Sequence, residues 1–160
     1  MLDQKMYSTT TTDWDRKVAA RAPFYQEAAY ALLRVTLGVV FLFSGFGKLM
    51  AGIGSLATEQ SQQFAGKLPS LLVIPFFYVL PFAELAIGAL LVLGLFNVLA
   101  LLASGLLLAA LTFGTVMKGD FPTVAHNVSY ALVNSALLWL ASYNGYSLDR
   151  LFGRSRPRYG

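Results

Sequence analysis

Residues 31–50, ALLRVTLGVVFLFSGFGKLM, form a greasy run of about twenty residues. At ~1.5 Å per residue that length crosses the hydrocarbon core of a bilayer as one helix. The run carries two bases, Arg34 near its start and Lys48 near its end. At helical spacing Arg34, Gly38, Phe41, Gly45 and Lys48 share one face. A charge inside a span is expensive, so that face must meet protein or water rather than lipid. The remainder of the chain can be read as its partners.

Composition agrees with a membrane setting. Only 12% of the 160 residues are charged, 56% are hydrophobic and the mean hydropathy is +0.59, whereas a soluble domain carries roughly 25% charged residues. One compact integral membrane domain is expected, in the lipid bilayer. The chain has no cysteine, which removes disulfides, thiolate metal sites, iron–sulfur ligation and a dithiol relay. No carboxylate-rich or other metal site is read, so any electron chemistry needs an organic cofactor or a partner subunit. The first 21 residues are polar, without the apolar core of a cleavable signal peptide.

Four apolar segments follow in order, roughly 28–50, 71–96, 98–117 and 123–141. The fold expected is an all-α transmembrane four-helix bundle. Before it lies a polar, amphipathic arm over 1–27, in which Pro23 is expected to break any helix. The polar 51–70 segment reads as an outside loop with a short helix. Pro75 and Pro81 should bend or delay the second span. A basic tail, 154–160, closes the chain. An even number of spans puts both termini on one side, and the basic excess around the first span and tail makes that side cytoplasmic. Trp139, Tyr143 and Tyr146 then belong to the inner aromatic belt.

Glu84 lies deep in the second span. An unpaired carboxylate there would become neutral, so a partner is expected. Either Arg34 or Lys48 would serve, each reaching along its stem. Arg34 has a competing reading, snorkelling to lipid phosphates. The functional reading of the trio is an intramembrane polar pocket for a quinone-like head group or a proton relay; the plainer one is an ion pair fixing helix register.

Small residues Gly105 and Ala109, then Ala110 and Gly114, recur in the third span at spacing that permits close helix packing. Gly38 and Gly45 suit the same role in the first. In the fourth span Asn127, Tyr130 and Asn134 form a stripe. They read as interhelical hydrogen bonding, worth ~0.6 kcal/mol per pair, or as ligand contacts. The sole histidine, His126, is an axial candidate for haem or chlorophyll; one histidine cannot supply both ligands of a haem, and an interfacial histidine is the plainer reading. Phe76, Phe77 and Tyr78 read as interfacial belt. The basic tail beside a span reads as an anionic-lipid contact, and no nucleic-acid surface is seen.

The segments LLRVTLGVVFLFSGFGKL, LPSLLVIPFFYVLPFAELAIGALLVLGLF and HNVSYALVNSALLWLASYNGYSLDRLFG resemble the first, second and last helices of the DoxX-like family of four-span bacterial membrane proteins. The resemblance covers 28–153. It implies a four-helix domain in the bacterial cytoplasmic membrane, with Arg34, Gly38, Gly45, Lys48, Glu84 and Gly88 at motif positions. Asn97 stands where many relatives carry a base. Activities in that family include thiosulfate:quinone oxidoreduction.

Three functions are weighed. The first is an accessory subunit of a larger respiratory or photosynthetic electron-transfer complex, bound to other membrane-protein subunits and not catalytic on its own. The second is the membrane subunit of a quinone-linked oxidoreductase, with quinone near Glu84. The third is a small transporter or lipid-binding protein, disfavoured by the lack of an internal repeat.

Overall fold

The computed structural model describes residues 13–151, and among them every regular element is a helix. The long ones are α1 (Asp13–Ala51), α3 (Ser70–Leu93), α4 (Asn97–Lys118) and α5 (Phe121–Trp139). A short α2 (Ile53–Gln63) bridges α1 and α3. After α5 come a 3-10 turn (Ala141–Tyr143) and the single turn α6 (Leu148–Leu151). The arm's first twelve residues and the 154–160 tail lie outside the described residues, as do the side chains of Trp14 and Arg16.

Among the described residues, three helices are long and apolar enough to cross a membrane: α1 from Arg21 onward, α3 and α4. The expected fourth, α5, has 19 residues and no charged side chain, but it does not meet that standard. His126, Asn127, Ser129, Asn134 and Ser135 dilute its apolar character.

Pro23 does not break a helix. It sits exposed inside a continuous α1. A proline deletes one main-chain bond and crowds the preceding turn; on an exposed face of so long a helix, the neighbouring bonds carry the structure through. Pro75 and Pro81 likewise lie inside an uninterrupted α3.

The helices pack as two close antiparallel pairs, α1 with α3 and α4 with α5. Glycine sets the separation of the first pair. A Cβ on Gly88 would stand 2.7 Å from the Leu42 nitrogen, and one on Gly45 would stand 2.7 Å from the Pro81 carbonyl. Gly38 meets Val92 and the Gly88 carbonyl equally closely. In the second pair Gly105 faces Asn134, whereas Gly114 faces Phe64 beyond the end of α2. Ala109 is exposed and packs on neither partner.

The two pairs are joined through a buried cluster in one half of the bundle. Tyr30, Leu37, Phe41, Leu91, Leu101 and Leu137 form a continuous buried cluster there. That half also holds the N-terminal part of α1 and the stretch after α5, residues 140–151, called the tail from here on: Phe24 meets Tyr146 edge-on at 6.3 Å, and Arg150 reaches Glu27 at 3.5 Å. It is called the terminal end below. In the other half a second cluster (Ala57, Phe64, Val73, Phe77, Leu80) joins α2 to α3, and Leu107, Leu111 and Met117 of α4 pack against it.

Candidate functional site

At the terminal end, Arg34 is 2% exposed. Its Nη1 donates to Asn144 Oδ1 at 2.5 Å and its Nη2 to the Tyr146 carbonyl at 2.7 Å. Arg34 therefore neither snorkels to lipid phosphates nor reaches Glu84; the tail folds back and supplies its acceptors. Gly94, at φ 66°, ends α3, and a Cβ there would run into the Arg34 guanidinium. The left-handed conformation and the crowding both require glycine.

Two residues on, Phe96 adopts φ 47°, unusual for a residue with a side chain. Asp149 holds this turn in place. Its carboxylate accepts from the Phe96 and Asn97 backbone N–H groups, both at 2.8 Å. The start of α4 is thus capped by a residue 52 positions later in the chain, where the orphan N–H groups and the helix dipole favour a negative charge. Asn97 donates from its side chain to the Tyr30 hydroxyl at 2.6 Å.

The other end is built differently. Lys48 is in the last turn of α1, and Glu84 is midway along α3. Antiparallel packing brings them together, with Lys48 Nζ 2.8 Å from Oε1 and 2.7 Å from Oε2. Ser44, one turn before Lys48, accepts from its Nζ at 2.6 Å and stands 3.1 Å from Glu84 Oε1 as a donor. The carboxylate is 2% exposed and the ammonium side chain 25%.

This trio forms the inner end of a cavity of ≈ 610 Å³ between the helix pairs. Its walls are mainly apolar: Phe64, Phe76 and Phe77 line it from the α2–α3 side, and Leu111 and Gly114 from α4. Phe77 is buried and meets Phe64 and Phe76 ring to ring at 6.2 and 5.3 Å. Phe76 and Phe77 are therefore cavity wall, not interfacial belt; Tyr78, next in sequence, is exposed. Helix α2 adds Leu56 and Gln60 to the lining. There Gln60 accepts from Lys118 Nζ at 2.8 Å, and the same ammonium lies 5.5 Å from the centre of the Phe64 ring.

The stripe on α5 divides. Asn127 and Asn134 are buried against α4: Asn127 approaches Thr115 Oγ1 at 3.4 Å and borders the cavity, and Asn134 accepts from Ser104 at 2.6 Å while donating to the Leu101 carbonyl at 3.0 Å. Tyr130 is half-buried against the terminal-end cluster. His126 is exposed, one position off the buried face. Just before α5, Asp120 caps the helix, accepting from the Thr123 hydroxyl at 2.5 Å and its N–H at 3.3 Å. Those two bonds hold its carboxyl below the ordinary range, with Lys118 nearby adding to the effect.

The pattern that sequence reasoning missed is the tail's role. Asn144, Tyr146 and Asp149 act through an amide, a carbonyl and a short acidic side chain more than fifty positions from what they hold. Nothing periodic marks them. The only available signal was the need of Arg34 for acceptors.

Comparison with known proteins matches residues 26–119 to the family of the methylamine utilisation protein MauE. The matched segment runs from the membrane part of α1 to the end of α4 and includes Arg34, Lys48 and Glu84. No curated protein and no solved structure matches. The DoxX-like resemblance is overturned by this match. Greasy helices with glycine faces and a lone buried acid satisfy the same packing constraints in different membrane families, so such motifs do not separate them.

Proposed function

Since the chain belongs to the MauE family of membrane proteins, we propose that it serves methylamine utilisation as a membrane accessory component. In this reading it stands beside other membrane-protein subunits of an electron-transfer system and is not a catalyst on its own. The family match over more than half of the chain carries the proposal.

In the same reading α5 is a fourth crossing. Its buried asparagines bond to α4, and its exposed Ser129 and Ser135 return their hydroxyls to the Ala125 and Ala131 carbonyls. Such bonding leaves little unsatisfied polarity toward lipid, while Val128 and Leu132 face outward. Four crossings bring both termini to one side, and the bases around the first span place that side in the cytoplasm of a bacterial cell.

The test is genetic and biochemical. A strain lacking this chain is expected to lose growth on methylamine and keep growth on an unrelated carbon and nitrogen source, with growth restored by the chain in trans. Unimpaired growth on methylamine would overturn the reading.

A further inference from the structure

The cavity has three properties that together describe an occupant. First, its inner end is polar but carries no net charge, because Lys48 and Glu84 neutralise one another at 2.7 Å. A head group with its own full charge would meet a like charge within the pair, and the other charged lining residue, Lys118, is bonded to Gln60, whereas a neutral oxygen finds donors on Ser44 and Lys48 and an acceptor on Glu84. Second, the body of the cavity is apolar and aromatic, walled by Phe64, Phe76 and Phe77, and its ≈ 610 Å³ lies within the usual range of small-molecule sites. Third, Leu72 of α3 and Phe113 of α4 both line it and are largely exposed, at 63% and 58%. Both helices are candidate membrane spans, so the gap between them faces sideways toward lipid near the α2 end of those spans rather than only toward water.

We propose that this cavity binds a neutral, membrane-soluble molecule with a ring carbonyl or hydroxyl at one end, of the quinone or quinol class. Its oxygen lies on Ser44 and the Lys48–Glu84 pair, its ring lies among Phe64, Phe76 and Phe77, and its tail leaves between Leu72 and Phe113. A carbonyl oxygen accepts from Ser44 or Lys48, and a hydroxyl donates to Glu84. Adjacent donor and acceptor groups thus suit both forms of such a molecule. The proposal concerns binding alone and does not depend on the part played in methylamine utilisation.

The probe is decylubiquinone, measured by equilibrium dialysis against the full chain in nanodiscs of synthetic lipid. One saturable site per chain is expected. Gly114→Leu fills the cavity opposite Phe64, where a Cβ already makes a 3.4 Å contact, and Ser44→Ala removes a head-group donor while leaving the ion pair. Each is expected to weaken binding by about tenfold or more, the equivalent of a single hydrogen bond or a few lost contacts. Trp139→Phe, at an exposed position outside the cavity, is expected to leave it unchanged. An excess of decanoic acid, apolar but anionic, is expected not to displace the quinone. Should Gly114→Leu fail to fold, Ser44→Ala alone decides. No saturable binding, binding indifferent to the folded variants, or displacement by decanoic acid would each overturn the proposal; the last would assign the cavity to acyl chains. Growth on methylamine tests the preceding reading separately.

Discussion

Arg34 and Lys48 sit fourteen residues apart on one helix, and each ends among polar groups inside a greasy protein, yet the two ends of the bundle use them differently. Arg34 is fully enclosed, its forked donors bonded to a neutral amide and a backbone carbonyl of the returning tail. Lys48 faces a formal negative charge but keeps a quarter of its surface accessible beside an open cavity. Arginine's planar fork suits several fixed acceptors, while lysine's single flexible ammonium suits a partner that a visitor also approaches. The terminal end spends polar groups on closure; the α2 end keeps them within reach.

That contrast predicts where mutations are felt as lost stability. The largest effect is expected from Arg34→Ala, which strands buried acceptors and empties the space against Gly94: a loss of about 3–5 kcal/mol, read as thermal unfolding in detergent. A loss below 1 kcal/mol would show that the tail is not held through Arg34. Asp149→Ala removes two charge-assisted bonds to the start of α4 and is expected to cost about 2–3 kcal/mol. Faster proteolysis between Gly94 and Asn97 should accompany it.

At the other end, Lys48→Met leaves the Glu84 carboxylate buried and unpaired. Partial access to solvent softens the penalty to about 2 kcal/mol. Adding Glu84→Gln is expected to recover most of that loss, so the double variant should be more stable than Lys48→Met alone. If it is not, the pair is not the principal polar contact of the cavity. The smallest effect belongs to Asp120. Its folded-state acidity is raised by Thr123, so its stabilising effect is complete above the unfolded carboxylate pKa of about 3.9 and disappears as pH falls through the lower folded value. Asp120→Ala should melt below the wild-type chain at neutral pH, and the two curves should converge in strong acid.

Much of this architecture is written locally. The spans of α1, α3 and α4 follow from unbroken apolar runs, and the left-handed end of α3 follows from Gly94 between two such runs. Helix α5 is less plainly a span, because the asparagines it turns toward α4 lower its mean hydropathy. The expectation that Glu84 needs a base rests on electrostatics alone, but the choice between Arg34 and Lys48 depends on the register of α1 against α3. Glycine contacts set that register, not charge. The cavity has no sequence signature at all. It is the space left between two helix pairs, and Phe76 and Phe77 become its wall only because α2 folds over them. Pro23 misled because an exposed proline in a long helix removes a bond that nothing else depends on.

The capping of α4 by Asp149 also orders events during synthesis. The hairpin of α3 and α4 leaves the ribosome some fifty residues before the carboxylate that secures its bend. Until residues 144–149 emerge, the Phe96 and Asn97 N–H groups lack the Asp149 carboxylate and the Arg34 guanidinium lacks its amide. These contacts can therefore close only after residues 144–149 have been made. A stop codon just ahead of Tyr143 should yield chains that insert but are cleared by membrane proteases.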